Sequence, residues 1–362
     1  MGPYFRYILV SYNDTKRGTM LLKCFFLPFV VPLFLLYLRS TVSIVYSKLD
    51  LFSRSLCHQS TQLVFMQKRK DELLKKIQEE FNISKWKTAQ YISKGYDHDV
   101  IILDKKMIFR FPKKGDSIEM LKDEITLLQF LSSHIDAQIP HYTHVSKDKS
   151  FAAYPILLGR EMRKYRYQTL SKKDKLSFAK QVAQFLNQLL GFDIKKIKKF
   201  HVHRQSPQKN IKNLQNNVKK YLFPHFDKKE QICAQKFLQD LQSVVKESEK
   251  YFSLIHSDLS EDHILWDEKK KKISILDFSD REIGDRAGDF AGLFVYGPKF
   301  VKEVLSQYHF SDDTLFERAK LYFYRCTFFI MVDAYKMKRW DKRLADIIFQ
   351  SGYKMFLQRF KL

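Results

Sequence analysis

From Asp71 onward the apolar positions alternate between helical and strand periods. Leu73, Leu74, Ile77 and Phe81 recur at helical spacing and Asn82 is a suitable stop, so an amphipathic helix is expected there. The stretch TAQYISKGYDHDVIILDKKMIFRFPKK then reads as strand, glycine-containing turn, strand, tight turn, strand. Val100–Leu103 and Met107–Phe111 flank a polar D-K-K connection, and Pro112 ends the last strand. A helix follows with Ile118, Leu121, Ile125, Leu128 and Leu131 on one face, and Ser150–Gly159 reads as a further strand. Beyond Gly159 the pattern is mostly helical, over Leu176–Leu190, Val301–Tyr308 and the long aromatic segment Asp313–Met337. One β interruption is expected, Ile264–Trp266 paired with Ile273–Leu276 across the turn DEKKKK. A small antiparallel sheet followed by helices is a bilobal α+β arrangement, with lobes over 66–158 and 159–362.

Residues 1–65 are of a different kind. Met20–Leu38, MLLKCFFLPFVVPLFLLYL, is apolar except for Lys23 and approaches the roughly 20 residues that span a bilayer. Pro28 and Pro32 make it a poor soluble helix, although membrane helices tolerate proline. It also resembles a signal peptide, without a tidy small-residue cleavage site before Arg39. The preferred reading is an apolar extension upstream of a true start at Met66, with a signal-anchor as the rival. A membrane is a partner only if 20–38 is an anchor, and otherwise a cytoplasmic location is expected.

Composition narrows the class. With 362 residues, 45% hydrophobic and 29% charged, the chain is globular and has room for two lobes. Its four cysteines lack CxxC or CxxH spacing, which argues against a structural zinc site or a disulfide framework and fits a reducing compartment. The net charge is +24, and residues 160–220 carry 17 Lys or Arg against 3 Asp or Glu. Such a segment could meet phosphate or nucleic acid. Solvated lysines on helix faces explain it equally well, and without RNP-type signatures nucleic acid is not the expected partner.

The chemistry concentrates in LIHSDLSEDHILWDEKKKKISILDFSD, Leu254–Asp280. A hairpin with Asp258 before its first strand and Asp277 after its second brings both carboxylates to one edge. His263 stands at the entry of the first strand. Convergence of a carboxylate with two metal-competent side chains suits phosphoryl transfer, with one group orienting the attacking hydroxyl and two holding Mg²⁺ on a nucleotide. H-x-D alone is more often a satisfied turn aspartate, and D-F-S alone could cap a strand. Their joint order around the expected hairpin is what carries the reading.

HSDLSEDH resembles the kinase catalytic loop H-x-D-x-x-x-x-N, and DFS resembles D-F-G. The fuller run IHSDLSEDHIL…ILDFSDREIGDRAGDFA resembles the aminoglycoside phosphotransferase family, closest to its 2″-phosphotransferase branch. The resemblance extends from about Asp71 to the C-terminus and implies a protein-kinase-like fold, with a small antiparallel β-sheet N-lobe that binds nucleotide and a mostly helical C-lobe built around a catalytic β-hairpin. It implies Asp258 as the base, His256 as a brace of the loop, His263 and Asp277 as Mg²⁺ ligands, and ATP or GTP as donor. Asp285 and Asp289 become carboxylates that accept bonds from the catalytic-loop backbone, and Asp280 and Glu282 become candidates on the acceptor side. On the nucleotide side it implies Arg110 as the phosphate-gripping cation, Glu124 as its partner, Gly95 in the phosphate loop, and Tyr154 with Ile156 beside the base.

D-F-S in place of D-F-G, and Arg110 in place of lysine, keep an inactive nucleotide-binding protein as an alternative. The acceptor is the open question. Aminoglycosides are polycations, and lysines of 160–220 facing the cleft would repel them within a Debye length of about 8 Å. The expected reaction is phosphorylation of an aminoglycoside or similar hydroxylated compound, with a neutral or anionic metabolite as the alternative. Antibiotic resistance does not follow from family alone.

Overall fold

The computed structural model describes residues 65–93, 98–113, 115–339 and 341–362. The apolar extension 1–65, but for its last residue, and the turn glycine Gly95 lie outside the described residues. Helix α1 (residues 65–81) ends where Asn82 adopts a left-handed φ of 55°, the stop its sequence position implies. Strands β1 (Ala89–Ile92), β2 (His98–Leu103) and β3 (Met107–Pro112) form an antiparallel meander. Asp104 and Lys105 turn the β2–β3 hairpin with φ of 52° and 54°. The Asp104 carboxylate accepts the Lys87 and Thr88 N–H groups at 2.7 and 2.8 Å, tying the hairpin back to the start of β1.

Helix α2 (Gly115–Leu131) follows, then β4 (His144–Val145) and β5 (Ala152–Pro155), giving a five-stranded sheet in the order β1-β2-β3-β5-β4. The strand expected over Ser150–Gly159 is thus shorter, because the chain leaves the sheet after Pro155 to cross to the helical lobe. Leu73 and Ile77 of α1 pack against Ile101, Phe109, Phe111 and Phe151 to make the sheet lobe's core. Helix α2 belongs to both lobes. Its Leu127, Leu128 and Leu131 are buried in the large core while Glu124, one turn earlier, faces β3.

The second lobe contains β6 (Arg160–Glu161), α3 (Lys164–Thr169), α4 (Lys172–Leu190), α5 (Ile194–Ile197), α6 (Pro207–Asn217) and α7 (Lys228–Lys246). Ser171 caps α4 and an Asp227–Glu230 capping box opens α7, each satisfying N–H groups a helix start leaves without partners. Then come β7 (Phe252–Ile255), β8 (Ile264–Asp267), β9 (Lys272–Ile275), β10 (Glu282–Asp285), α8 (Ala287–Ala291), α9 (Pro298–Leu305), α10 (Leu315–Met337) and α11 (Lys342–Phe360). The expected hairpin is β8–β9, with Ile264 opposite Ile275. It is not the single β interruption: β6 adds to its edge, and β7 pairs with β10, Ile255 opposite Glu282. The observed architecture is the bilobal α+β fold, and among the described residues no helix is long and apolar enough to cross a membrane.

The paired ladders set the site. Residues 256–263 connect β7 to β8, and residues 276–281 connect β9 to β10. Because β7 pairs β10 and β8 pairs β9, the two connections face one another across the same gap. Behind them Asp285 accepts from Arg318 Nε at 3.0 Å and from the Tyr322 hydroxyl at 2.8 Å, which fastens α10 to the end of β10. Arg318 is almost fully buried over the Tyr251 ring, 3.7 Å from its centroid. Replacing it by methionine strands a buried carboxylate. Arg318→Met should cost about 3–5 kcal/mol in denaturant unfolding, and a loss below 1 kcal/mol would show the pair to be dispensable.

Candidate active site

His256 and Ser257 leave β7 in a tight turn, with Ser257 at a left-handed φ of 69°. Two contacts hold this conformation. The Asp289 carboxylate on α8 accepts the His256 and Ser257 N–H groups at 2.9 and 2.7 Å. The Ser257 hydroxyl donates to Glu282 at 2.6 Å. Gly292 at the end of α8 lies so close that a Cβ there would sit 2.0 Å from the Leu259 carbonyl, so only glycine lets this helix support the loop.

His256 ties the two connections together. Its Nε2 is 2.8 Å from the Leu276 carbonyl, and its Nδ1 is 3.3 Å from the Asp258 N–H. The pair of contacts fixes a neutral ring, donating through Nε2 and accepting at Nδ1. His263 is turned the other way. Its Nδ1 donates to the Asp258 carbonyl at 2.7 Å, and its Nε2 lies 3.8 Å from Asp277 Oδ2. The same ring's Nδ1 lies 3.4 Å from Asp258 Oδ2. The three residues singled out by sequence therefore share one small volume, with the His263 ring between two carboxylates.

Asp277 is also left-handed, φ 61°, and its Oδ1 accepts the Ser279 hydroxyl at 2.7 Å. Ser279 in turn accepts from Arg110 at 2.8 Å. Arg110 on β3 pairs with Glu124 of α2 at 2.5 Å and donates to the Tyr142 hydroxyl at 2.8 Å. Its second terminal nitrogen is 3.3 Å from His98 Nδ1 and 3.9 Å from Asp277. Burial opposes the Arg110 charge, yet Glu124, Tyr142 and Asp277 hold its pKa well above the ordinary value. The expected Arg110–Glu124 pair is present, and the rest of the guanidinium fork is turned toward the Asp277 turn.

The segment between the lobes carries an apolar cluster. Tyr154, Leu157 and Leu265 are buried together, with Ile108, Tyr142 and Leu276 packed against them. Ile156 is exposed, and its N–H is already given to the Lys106 carbonyl at 2.7 Å. The Leu158 N–H donates to Gln138 at 3.2 Å.

A cavity of about 260 Å³ opens directly beside Asp258, walled by residues 257–261, α8, α10 and α11. Asp280 and Glu282 do not line it. Glu282 is occupied with Ser257, Gln205 and His203, the last at 3.4 Å. Asp289 accepts from the loop backbone as the resemblance implied, whereas Asp285 is taken up by Arg318, Tyr322 and the Ala287 N–H. None of the Lys or Arg residues of 160–220 lines this cavity.

Several contributors escaped the sequence reading. Arg281 is buried and donates to the Phe278 and Met120 carbonyls at 3.1 and 3.0 Å, locking α2 to the D-F-S turn. Its guanidinium is 3.8 Å from Glu124. His98, Tyr142 and Arg318 act through partners far away in sequence, which no local pattern discloses. Arg281 alone left a trace, a cation directly after D-F-S-D. Among the described residues no three His, Cys, Asp or Glu side chains enclose a metal by themselves.

Fold and site together define a kinase-type phosphotransferase, with a sheet lobe, a helical lobe and paired carboxylates on facing connections between strands. The chain belongs to the phosphotransferase enzyme family, whose model matches residues 88–324. It is an enzyme that transfers phosphate to a hydroxyl. The fold is similar to that of the GDP and kanamycin complex of APH(2″)-IIIa, at 22% identity and a TM-score of 0.71 over 80% of this chain and 98% of that one. ADP-bound aminoglycoside phosphotransferase APH(2″)-Ib is similar at 20% identity and a TM-score of 0.60, over 80% and 98% of the two chains. A macrolide 2′-phosphotransferase type I matches at 17% identity and a TM-score of 0.61, over 78% and 95%.

Two measurements probe the supports. Ser279→Ala removes the group between Arg110 and Asp277 and should cost about 1–3 kcal/mol in unfolding free energy; an unchanged value would mean that water replaces it fully. Burial raises the Asp289 carboxyl to about 7, against the two N–H bonds that pull it down. The native state then keeps this proton at pH values where the unfolded chain has lost it. The associated stability is complete below the ordinary carboxylate range and is lost as pH rises through about 7. The difference in unfolding free energy between wild type and Asp289→Asn should therefore fall across that window and level off above it. A flat difference would place the folded carboxyl in its ordinary range.

Proposed function

We propose that the protein transfers the γ-phosphate of ATP or GTP to a hydroxyl of a small hydroxylated acceptor bound beside Asp258. The observation that carries this reading is the His263 ring set between Asp258 and Asp277, with Asp258 itself lining a cavity.

Asp258 orients the acceptor hydroxyl and takes its proton as the new oxygen–phosphorus bond forms and the bond to the leaving nucleoside diphosphate breaks. His256 holds the loop so that this carboxylate faces the cavity. Asp277 would hold Mg²⁺ through the oxygen donor it prefers, and His263 would add its Nε2 from the facing connection. When bound there, Mg²⁺ neutralises charge on the transferring phosphoryl group. Arg110, held by Glu124, reaches the phosphates by exchanging its Ser279 bond. The base lies against the Tyr154–Leu265 cluster, meeting the backbone near Leu157 because Ile156 and Leu158 have already given their N–H groups. Similar folds crystallised with GDP and with ADP support a purine nucleotide donor without choosing between the two.

An inactive nucleotide binder is disfavoured by the position of Ser279. In the D-F-S turn it fastens Asp277 to Arg110 and leaves the turn intact. Asp258→Ala should lower turnover by about 10³-fold with nucleotide binding retained, whereas Asp277→Ala should weaken Mg²⁺-dependent nucleotide binding itself. Transfer kinetics and nucleotide calorimetry separate the two. Wild-type turnover in Asp258→Ala would sink the assignment.

A further inference from the structure

We infer that the acceptor taken up beside Asp258 is a mainly apolar hydroxyl compound carrying at most one positive charge, and not a polycation. The inference rests on the reading of Asp258 as the hydroxyl-orienting group and concerns what the cavity next to it will accept. Its far wall is carbon. Phe323, Cys326 and Ile330 form one stripe of α10 at helical spacing, and Val295 and Met355 close it from the α8 side and from α11.

Apart from Asp258, the only charged residues among the described ones that line this cavity are Glu261 and Arg359. Glu261 already accepts the Lys164 N–H at 2.5 Å. Arg359 donates to the Phe323 carbonyl at 2.6 Å and lies 3.7 Å over the Phe323 ring, which fixes its positive charge at the wall. The two formal charges balance, which leaves Asp258 as the net charge of the lining. The neighbouring acid Glu282 is held by Ser257 and Gln205 outside it. An ammonium group entering here exchanges water for carbon and meets a guanidinium, which is strongly disfavoured. A polyamine carries an ammonium group on nearly every ring it could seat here, whereas a macrolide-like or lipid-like alcohol can offer an uncharged one. At about 260 Å³ the cavity also falls below the usual range for whole drug-sized ligands, so it seats one ring or apolar arm of the acceptor.

The test uses the full-length protein with Mg²⁺ and nucleotide. Binding of kanamycin, a polyamine, and of erythromycin, a macrolide with a single amine, is measured by calorimetry, separately from transfer. Erythromycin should bind at least about tenfold more tightly. Val295→Glu combined with Arg359→Glu should move that ratio toward kanamycin by about tenfold or more, Arg359→Met should move it less, and Arg359→Lys should leave it in place. Thermal melts of each variant report whether the α10–α11 contact survives. Tighter kanamycin binding by the wild type, a ratio that the added carboxylates do not move, or binding of neither compound would overturn the inference. A preserved binding preference without transfer to either compound would leave the inference standing and instead refute the phosphotransfer role of Asp258.

Discussion

The buried ion pair between Arg110 and Glu124 is the constraint from which the site follows. Neither group can sit in the interior alone, since an unpaired buried charge costs several kcal/mol. Its formation at 2.5 Å therefore requires β3 and α2 to be in register. Helix α2 is simultaneously committed to the helical lobe through Leu127, Leu128 and Leu131. One pair thus fixes the sheet relative to the helices. The same guanidinium explains two departures from the usual motif together. An arginine fork has more N–H donors than a lysine ammonium can direct in one plane, and each needs an acceptor when buried. Tyr142, His98 and Ser279 supply them. Glycine in the third place of the D-F-x turn would leave the fork short of an acceptor, so Arg110 and Ser279 are complementary.

The facing connections solve a second problem, that of holding polar groups between apolar strands. Both turns contain a non-glycine residue in the left-handed region, Ser257 and Asp277, a conformation that persists only when neighbours over-determine it. Asp289 and Glu282 do so for the first, and Ser279 with its N–H does so for the second. The two histidines of one connection bridge the gap at different points. His256 donates through Nε2 to the Leu276 carbonyl, while His263 gives its Nδ1 N–H to the Asp258 carbonyl and sets Nε2 3.8 Å from Asp277. Identical side chains seven residues apart do different work because each is held by a different backbone group.

Much of this was legible in the chain. The β2–β3 hairpin was visible because the short apolar runs Val100–Leu103 and Met107–Phe111 flank the polar D-K-K, and the β8–β9 hairpin because its apolar runs are bounded by the motif aspartates. The β7–β10 pairing was not visible. FSLI and EIGD are four residues each, too short for a period, and Gly284 reads as a turn signal when its partner strand is unknown. Glu282 looked like a free acid at the acceptor side for the same reason, since the strand that turns it toward Ser257 could not be seen. Arg318 is read as a helix surface cation until Asp285, 33 residues away, is brought beneath it. Periodicity reports what lies on one element; pairing across elements decides which charges are satisfied.

Charge acts here at two ranges, and they are independent. The formal charge of +24 and the lysines of 160–220 set a field outside the molecule that salt screens over about 8 Å. Those side chains are largely exposed, and the half-buried ones near the catalytic loop are spent on neighbours, Arg163 on Asp262 and Arg166 on Glu268. None of them reaches the cavity wall. The net charge therefore sets how the protein behaves in low salt, while the cavity beside Asp258 presents one guanidinium, one engaged carboxylate and a stripe of apolar side chains. Similar folds include both aminoglycoside and macrolide phosphotransferases, so the fold alone does not fix what the wall beside Asp258 must accept. The motif aspartates are legible in the chain; that wall is assembled from α8, α10 and α11, and only the packing of those elements brings its residues together.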